Sequence, residues 1–204
     1  KNGIVKKTLI NEFENIRNNG KICITLKGDD ELIDVKKTNG DNLVLLGNSN
    51  GRMVKFNESN IRVMGRTASG VRGINLDGGK CICCEIVNED NIILLVTDKG
   101  YGKQTKVRDF RETSRGSKGV KALNITEKNG GIVSVKIVEP EKEVVIMTDS
   151  GMTMRMPIDQ ISILGRATQG LRLINLKDNQ KVSTISLVDK EVSNEDTAEE
   201  NSNN

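Results

Sequence analysis

The chain has 204 residues and a formal net charge of +3, with 2% aromatic residues and neither Trp nor His. This length supports a substantial core, but that core must consist of Ile, Val and Leu, which favours β-strands. Without His there is no His-based catalytic triad or dyad. No Gly-rich loop ends in Lys-Ser or Lys-Thr to hold a nucleotide, and no apolar run approaches the roughly 18 to 20 residues that span a membrane.

Two glycines recur with nearly constant spacing. The first set is Gly3, Gly51, Gly100 and Gly151, and the second, 17 to 19 residues further on, is Gly20, Gly70, Gly119 and Gly170. Large apolar residues stand ten positions after the first glycine, at Phe13, Ile61, Phe110 and Ile161. This self-similarity predicts four copies of one unit. We call them repeats 1 to 4, with approximate bounds 1–50, 51–99, 100–150 and 151–192. Because Lys1 falls inside repeat 1, we expect the chain to be part of a longer protein.

In repeat 1, alternating apolar residues predict four strands bounded by turn residues. The predicted strands are Ile4–Ile10, Lys21–Leu26, Leu32–Lys37 and Asn42–Gly47. A turn at Asn48–Gly51 then leads into repeat 2, and glycine suits it because such turns often require a positive φ.

Repeat 2 contains three of the four cysteines, and Cys81 to Cys84 spells C-x-x-C. This spacing is a metal or redox signal. However, Cys81–Val87 has the composition of a strand, and the chain has neither a second C-x-x-C nor a His to complete a zinc site. We therefore expect buried, reduced thiols, no metal, and a cytoplasmic location.

Repeats 3 and 4 complete the array, and several of its strands are apolar on both faces, as in Asn91–Val96 and Val144–Met147. Four short strands per roughly 50 residues are typical of a propeller blade, which packs on a neighbour at each face. We predict an all-β, propeller-like domain of four-stranded antiparallel blades over residues 1–192. A sandwich or barrel is the alternative, but repetition at the sequence level argues against it.

After repeat 4, residues 193–204 hold four acidic residues and no apolar residue larger than Ala. We expect a disordered acidic tail. It is either an inert solubilising end or, as runs of like charge often are, an interaction tail.

Charge is distributed unevenly within each repeat. The segments 3–21, 52–72, 100–121 and 151–172 together hold 19 basic and 6 acidic residues, a net charge of +13, whereas the rest of the chain carries −10. In a radial array, equivalent segments occupy equivalent places, so the basic segments should form one basic band.

The members of this band are the candidate binding residues. Some recur in register, two positions after the second glycine (Arg72, Lys121 and Arg172) and four positions before it (Arg66, Arg115 and Arg166). The full set is Lys6, Lys7, Arg17, Lys21, Arg52, Lys55, Arg62, Arg66, Arg72, Lys103, Lys106, Arg108, Arg111, Arg115, Lys118, Lys121, Arg155, Arg166 and Arg172.

A basic band of this kind predicts a polyanionic partner. Single strands and RNA are usually bound on aromatic platforms, but the chain has only four aromatic residues and two of them, Phe13 and Phe110, occupy the apolar position of the repeat. Duplex DNA bound through its backbone is therefore the favoured ligand. The alternatives are a scaffold that binds an acidic protein and, remotely, an independent enzyme.

Several segments, in their order and spacing, resemble the family of C-terminal domains found in the A subunit of bacterial DNA gyrase. The resemblance covers about residues 1–190. The matching segments are Asn2–Thr8, Glu12-Phe13, Asp30–Ile33, Gly70–Ile74, Gly100–Lys103, Ser114–Val120 and Ser162–Gly170.

This resemblance implies a β-pinwheel whose blades swap a strand with a neighbour and whose rim wraps duplex DNA. It implies ATP-dependent negative supercoiling by an A2B2 holoenzyme, with ATP and Mg²⁺ bound outside this fragment and no cofactor within it. The catalytic tyrosine of the family lies in an N-terminal region, so Tyr101 is not assigned that role.

One family feature is absent. The wrapping motif Gln-Arg-Arg-Gly-Gly-Arg/Lys-Gly does not occur, and its nearest counterpart is Arg115–Gly119. We expect the motif to lie upstream of Lys1. The related domain of topoisomerase IV also lacks an intact motif and is an alternative, but the regularity of the four repeats favours gyrase.

Overall fold

A computed structural model describes residues 1–177 and 179–190, and these residues contain thirteen strands, four short 3₁₀ segments and no α-helix. The predicted all-β class is confirmed. The strands are β1 (Ile4–Val5), β2 (Leu43–Asn48), β3 (Arg52–Asn57), β4 (Val71–Arg72), β5 (Cys81–Val87), β6 (Ile92–Thr97), β7 (Tyr101–Lys106), β8 (Val120–Lys121), β9 (Ile132–Val138), β10 (Lys142–Thr148), β11 (Thr153–Pro157), β12 (Leu171–Arg172) and β13 (Val182–Asp189). The 3₁₀ segments are Ile10–Phe13, Glu58–Asn60, Val107–Asp109 and Ile158–Gln160.

None of the helical segments in this described part is long and apolar enough to cross a membrane. The predicted tail, residues 193–204, lies outside the described residues.

Blades 2, 3 and 4 are each built around a hairpin that spans a junction between two repeats. β2 pairs antiparallel with β3, from Leu43 opposite Asn57 to Gly47 opposite Met53. The turn between them contains Gly51 at φ 79°, as the turn prediction required. β6–β7 and β10–β11 form the equivalent hairpins of blades 3 and 4. A third antiparallel strand joins each of the three hairpins: β5 pairs with β2, β9 with β6 and β13 with β10.

In blades 1, 2 and 3, a two-residue strand from the next repeat along the chain pairs at the edge of the sheet. β4 pairs with β1, β8 with β3 and β12 with β7. The resulting orders are β1-β4 (blade 1), β5-β2-β3-β8 (blade 2), β9-β6-β7-β12 (blade 3) and β13-β10-β11 (blade 4). This exchange is the strand swap of a β-pinwheel, so the blades are offset from the repeats and each complete blade takes strands from three of them.

The core lies between blades because strand side chains alternate between the two faces of a sheet. On β2, Leu45 packs towards blade 3 in a cluster with Ile93 and Phe110. Its neighbour Leu46 packs the other way, in a cluster with Phe56. A third cluster lies between blades 3 and 4. Apolar residues on both faces of the central strands are thereby buried.

Two predicted strands of repeat 1 do not form. Lys21–Leu26 and Leu32–Lys37 have no assigned strand, and the first predicted strand is reduced to Ile4–Val5. The equivalent segments of repeat 2 form β4, which pairs with β1, and β5, which pairs with the hairpin of blade 2. For the two segments of repeat 1, no hairpin of the described residues offers the corresponding pairing.

The cysteine prediction is confirmed for the strand and largely for burial. β5 contains Cys81 and Cys83, both buried, and Cys84, which is half-buried, whereas Cys23 is exposed. All four are free thiols. Burial raises the pKa of Cys81 and Cys83, and raises that of Cys84 to about 12, so these thiols stay protonated and unreactive. Among the described residues, no cluster of three His, Cys, Asp or Glu side chains suits a metal ion.

Candidate nucleic-acid interface

The basic half of each repeat from 2 to 4 runs along the edge of the preceding blade. We call residues 61–70, 110–119 and 161–170 the rim loops. Thr113 N–H donates to Lys55 O at 2.8 Å, and the same bond recurs from Met64 to Lys7 and from Leu164 to Gln104. Each rim loop then leads into the swapped strand of that blade. The rim loops and swapped strands therefore occupy the same edge of successive blades, which we call the basic rim.

The second glycine permits this close approach. Gly119 has φ 67°, and a Cβ there would lie 2.0 Å from Met53 O. A Cβ added at Gly70 would lie 2.6 Å from Val5 O, and one added at Gly170 would lie 2.8 Å from Gly102 O. A side chain at this position would push the rim loop away from the hairpin.

The register places one acidic turn of blade 2 at the end opposite its swapped strand. Lys121 lies opposite Arg52 at one end of β3, whereas Asn57 lies opposite Leu43, and Leu43 opposite Val87, at the other end. The acidic turn that follows Val87 is therefore about 17 Å from the swapped strand, the length of a short strand. Blade 3 repeats this arrangement. The separation is partial, because Lys55 and Lys106 of the basic segments lie beside the acidic turn 88–91, and Asp77 pairs with Lys118 of a rim loop.

Nine of the nineteen candidate cations are exposed, eight are half-buried and two are buried. The exposed ones are Arg17, Arg62, Arg72, Arg108, Arg111, Lys118, Lys121, Arg155 and Arg172. The half-buried ones are Lys6, Lys7, Lys21, Arg52, Arg66, Lys106, Arg115 and Arg166.

Lys55 and Lys103 are inside the protein, with 2% and 0% of their surface exposed. The Lys55 ammonium donates to both carboxylate oxygens of Glu89, at 2.6 and 2.9 Å. The Lys103 ammonium donates to the carbonyls of Gly165 and Arg166, each at 2.7 Å. Burial, together with the nearby Arg166 charge, lowers the pKa of Lys103 to about 8. We leave both lysines out of the proposed DNA surface because their charged groups do not reach it.

Three lysines of repeat 1 are partly committed to the protein. Lys6 donates to the carbonyls of Cys23 and Arg66, and burial lowers its pKa. Lys7 donates to Glu58 O at 2.9 Å, and Lys21 donates to the carbonyls at positions 12 and 14. Each of them has fewer free donors for a ligand than an exposed lysine.

Arg72, Lys121 and Arg172 form the most regular part of the rim. Each is exposed and ends a swapped strand, opposite the residue that follows the first glycine of the preceding repeat. Arg172 donates to the Tyr101 hydroxyl at 3.0 Å, and its guanidinium lies 5.5 Å from the ring centroid, which fixes its direction. One cation therefore marks the edge of each of three successive blades.

The remaining exposed cations divide into free and paired groups. Within the described residues, Arg17, Arg62, Arg108 and Arg111 take part in no ion pair. By contrast, Lys118 pairs with Asp77 at 2.9 Å. Arg155 pairs with Glu143 and also donates to Asp189 O at 2.7 Å.

Two open grooves lie along the basic rim. One, of about 580 Å³, is lined by Asn60 and by Arg111, Lys118 and neighbouring residues of the second rim loop. The other, of about 790 Å³, is lined by Arg17, Lys21 and Arg66 among others. The second groove brings basic side chains of repeats 1 and 2 to one surface, whereas the basic residues of the first belong to one rim loop and lie beside Glu112.

Aromatic side chains do not form a stacking platform on this surface. Phe56, Tyr101 and Phe110 are buried, and Phe13 is half-buried. Stacking on exposed aromatic rings is the usual means of binding unpaired bases. The surface is therefore suited to a charged backbone rather than to single-stranded bases.

Sequence reasoning did not anticipate the hydrogen bonds of Arg66, Arg115 and Arg166. Each guanidinium donates to a backbone carbonyl of the preceding repeat. Their fixed place, four residues before the second glycine, was the available signal, because strict register is as typical of a structural bond as of a ligand contact.

Comparison with protein families gives a match over four consecutive segments of the chain. The family described as the DNA gyrase C-terminal domain, a β-propeller, matches residues 1–39, 42–88, 91–139 and 142–189. The A subunit of DNA gyrase from Staphylococcus aureus strain NCTC 8325 is 41% identical over 205 residues, which cover 99% of this chain and 23% of that protein. The corresponding protein of strain MRSA252 is 42% identical with the same coverage.

Solved structures show the same architecture. The C-terminal domain of DNA topoisomerase IV superposes with a TM-score of 0.86 at 26% identity, covering 93% of this chain and 60% of that one. A DNA gyrase A C-terminal domain superposes with a TM-score of 0.80 at 23% identity, covering 91% and 62%. The chain thus spans about a quarter of its full-length relatives and under two thirds of these solved domains.

Proposed function

We propose that this chain, which belongs to the DNA gyrase C-terminal domain family, binds duplex DNA along its basic rim. The observation that carries the proposal is the row formed by Arg72, Lys121 and Arg172, one exposed cation at the same place on each of three successive blades. Lys and Arg side chains that neutralise phosphates supply most of the affinity of sequence-independent DNA binding. The other proposed contacts are the remaining exposed and half-buried cations named above, apart from Arg66, Arg115 and Arg166, whose guanidinium groups donate to backbone carbonyls.

We further propose that the rim bends the duplex around it. Blades that succeed one another around a disc turn their shared edge through an angle, so a duplex that contacts several of them must curve. Bending a short site costs on the order of 1 to 6 kcal/mol, which several phosphate contacts offset. In the whole protein this wrapping would direct ATP-dependent negative supercoiling, together with the remainder of the gyrase A protein and with its partner, gyrase B.

The proposed role places no cofactor on these repeats, and ATP and Mg²⁺ would act on other regions of the cytoplasmic holoenzyme. A topoisomerase IV domain is the related alternative, favoured by the topoisomerase IV superposition at a TM-score of 0.86. The 41% identity to gyrase A over nearly the whole chain supports the gyrase assignment.

The first test is the salt dependence of duplex binding. We expect the observed affinity of this chain to fall steeply and linearly with salt on a log–log plot, with little preference for sequence. Lys121→Gln should reduce the slope by about 0.9, because one phosphate contact is lost. Lys80→Gln removes the same charge from an exposed position outside the rim and should leave the slope unchanged.

Fluorescence anisotropy of one labelled duplex at several salt concentrations measures both effects. A flat response to salt, or no binding at low salt, would contradict the proposal and favour a scaffold that binds an acidic protein. Relaxing closed circular DNA in the presence of the chain then tests bending, because trapped writhe changes the linking number and unbent DNA leaves it unchanged.

A further inference from the structure

One arginine stands four positions before the second glycine in each of repeats 2, 3 and 4. Its guanidinium donates across the blade junction to a carbonyl that stands two positions after the second glycine of the preceding repeat. The pairs are Arg66 with Ile22 O at 3.0 Å, Arg115 with Arg72 O, and Arg166 with Lys121 O at 2.7 Å. The same bond in the same register at three junctions is a feature of the array rather than of one loop.

A backbone bond accompanies this arginine at each junction. Asn75 N–H donates to Ser117 O at 2.9 Å, and Asn124 N–H donates to Thr168 O at 3.0 Å. In repeat 1 the equivalent bond, from Thr25 to Ala68, is longer, at 3.4 Å. Each rim loop is therefore attached to the preceding repeat at two points, one through a side chain and one through the main chain.

Two of the three rim loops are also held by a lysine of the blade on which they lie. Lys6 and Lys103, each three positions after a first glycine, donate to the carbonyls of Arg66 and Arg166. The equivalent residue of repeat 2 is Val54, which has no donor to offer. At that junction the arginine makes a second bond instead, from Arg115 Nε to Asn60 O at 3.0 Å.

We propose that Arg66, Arg115 and Arg166 are positioning residues that fix the spacing of successive rim cations, and that they are not the primary phosphate contacts. Two of the three acceptor carbonyls belong to Arg72 and Lys121, whose side chains are proposed to bind phosphate. Holding the main chain of these residues sets where their side chains start. This inference rests on the proposed function for the role of the rim, but the hydrogen bonds from these arginines to the preceding repeat do not depend on DNA.

Arginine suits this task because its planar guanidinium donates in a fixed fork, which the single ammonium of lysine does not reproduce. The two groups carry the same charge. Exchanging Arg for Lys at these positions therefore separates positioning from charge.

The experiment compares Arg115→Lys with Arg111→Lys, a matched change at an exposed residue of the same rim loop. Without DNA, the amides of Asn75 and Gly116, which donate across the junction to Ser117 O and Gly73 O, report its opening. We expect Arg115→Lys to exchange these amides about tenfold faster, because the junction loses two hydrogen bonds, and Arg111→Lys to match the wild type. In DNA binding, Arg115→Lys should weaken affinity several-fold while keeping the salt slope, because charge is retained and geometry is lost.

Unchanged amide exchange and unchanged DNA affinity in Arg115→Lys would overturn the proposal. Lysine can replace an arginine that only binds phosphate, but it does not reproduce the two hydrogen bonds of Arg115 to the preceding repeat. If Arg115→Lys does not fold, Arg166→Lys serves in its place. Its junction keeps the Lys103 bond, and the Asn124 amide is its reporter. Failure of the wild type to bind DNA would sink the proposed function, while the exchange data would still decide whether the arginines hold the blades together.

Discussion

Repeat 1 and repeat 3 have matching sequence patterns but differ in structure. Repeat 3 forms β7 to β10, and Phe110, ten positions after its first glycine, is fully buried. Repeat 1 forms one two-residue strand ahead of β2, and nine of the twelve exposed large apolar residues within the described chain lie between Ile4 and Val35. The difference is that β8 and β9 of repeat 3 pair with the hairpins of blades 2 and 3, whereas no hairpin of the described residues covers the amino-terminal side of repeat 1.

Pairing with a neighbour therefore decides whether the pattern of a repeat becomes strand. Stability in such arrays is carried largely by the interfaces between adjacent repeats. Equivalent positions in repeats 1 and 3 should then respond unequally to the same substitution, and three pairs of variants measure how unequally.

The largest contrast is expected at the apolar position of the repeat. Phe110→Ala should cost about 3 to 5 kcal/mol in the free energy of unfolding, because it leaves a cavity in the core between blades 2 and 3. Phe13→Ala, at the half-buried equivalent, should cost about 1 kcal/mol. Chemical denaturation of both variants gives the comparison, and equal losses would show that repeat 1 is packed as tightly as repeat 3.

The second contrast concerns the second glycine. Gly119→Ala adds a Cβ that would lie 2.0 Å from Met53 O at φ 67°, so the swapped strand must move, and we expect a loss of about 3 kcal/mol. Gly20 has a similar φ of 74°, but a Cβ at that position would meet no atom within 4 Å, so Gly20→Ala should cost about 1 kcal/mol from backbone strain alone. The same denaturation experiment tests it, and a large loss at Gly20 would contradict the comparison.

The smallest contrast depends on pH. The pKa of Lys103 in the folded protein is about 8, below its ordinary value of 10.5, so between these values the unfolded chain binds more protons and stability rises with pH. The free energy of unfolding of the wild type, relative to Lys103→Met, should rise by at most about 3 kcal/mol from pH 8 to 10.5.

Lys6 stands at the equivalent position of repeat 1, and burial lowers its pKa as well. Because Lys6 is only half-buried, the wild type relative to Lys6→Met should show a smaller rise over the same pH range. Denaturation curves at several pH values measure both differences. If the difference in the free energy of unfolding between the wild type and Lys103→Met does not change with pH, the Lys103 ammonium of the wild type stays charged inside the blade.

Much of the fold was predictable from the spacing of glycines and from strand-like segments. The turn at Gly51 and the strand Cys81–Val87 formed where the sequence indicated. The partner of each strand was not visible, because pairing depends on contacts between residues far apart in the chain, such as Lys121 with Arg52. For the same reason, Lys21–Leu26 and Leu32–Lys37 have strand-like composition without forming strands.

The candidate site shows a similar division. Counting charge by position within the repeat predicted a basic band, and the rim loops and swapped strands that carry part of this charge lie on one edge of the blades, whereas Lys106 and Arg108 lie beside Asn91 at the other end. It did not distinguish Lys121, which is exposed, from Lys103, which is buried, because both are lysines in basic segments. What separates them is their place along a strand, since Lys121 ends a swapped strand whereas Lys103 lies inside β7, where rim loop 161–170 covers it.

The offset between repeats and blades has a mechanical consequence. Residues 51–99 supply strands to blades 1, 2 and 3, so peeling this one repeat from the molecule opens three sheets at once. Local opening of a protein proceeds in cooperative units, and here the smallest such unit is larger than the unit that recurs along the chain. Tension transmitted along a duplex held on the rim would be shared among neighbouring blades, because each repeat is hydrogen-bonded into more than one of them.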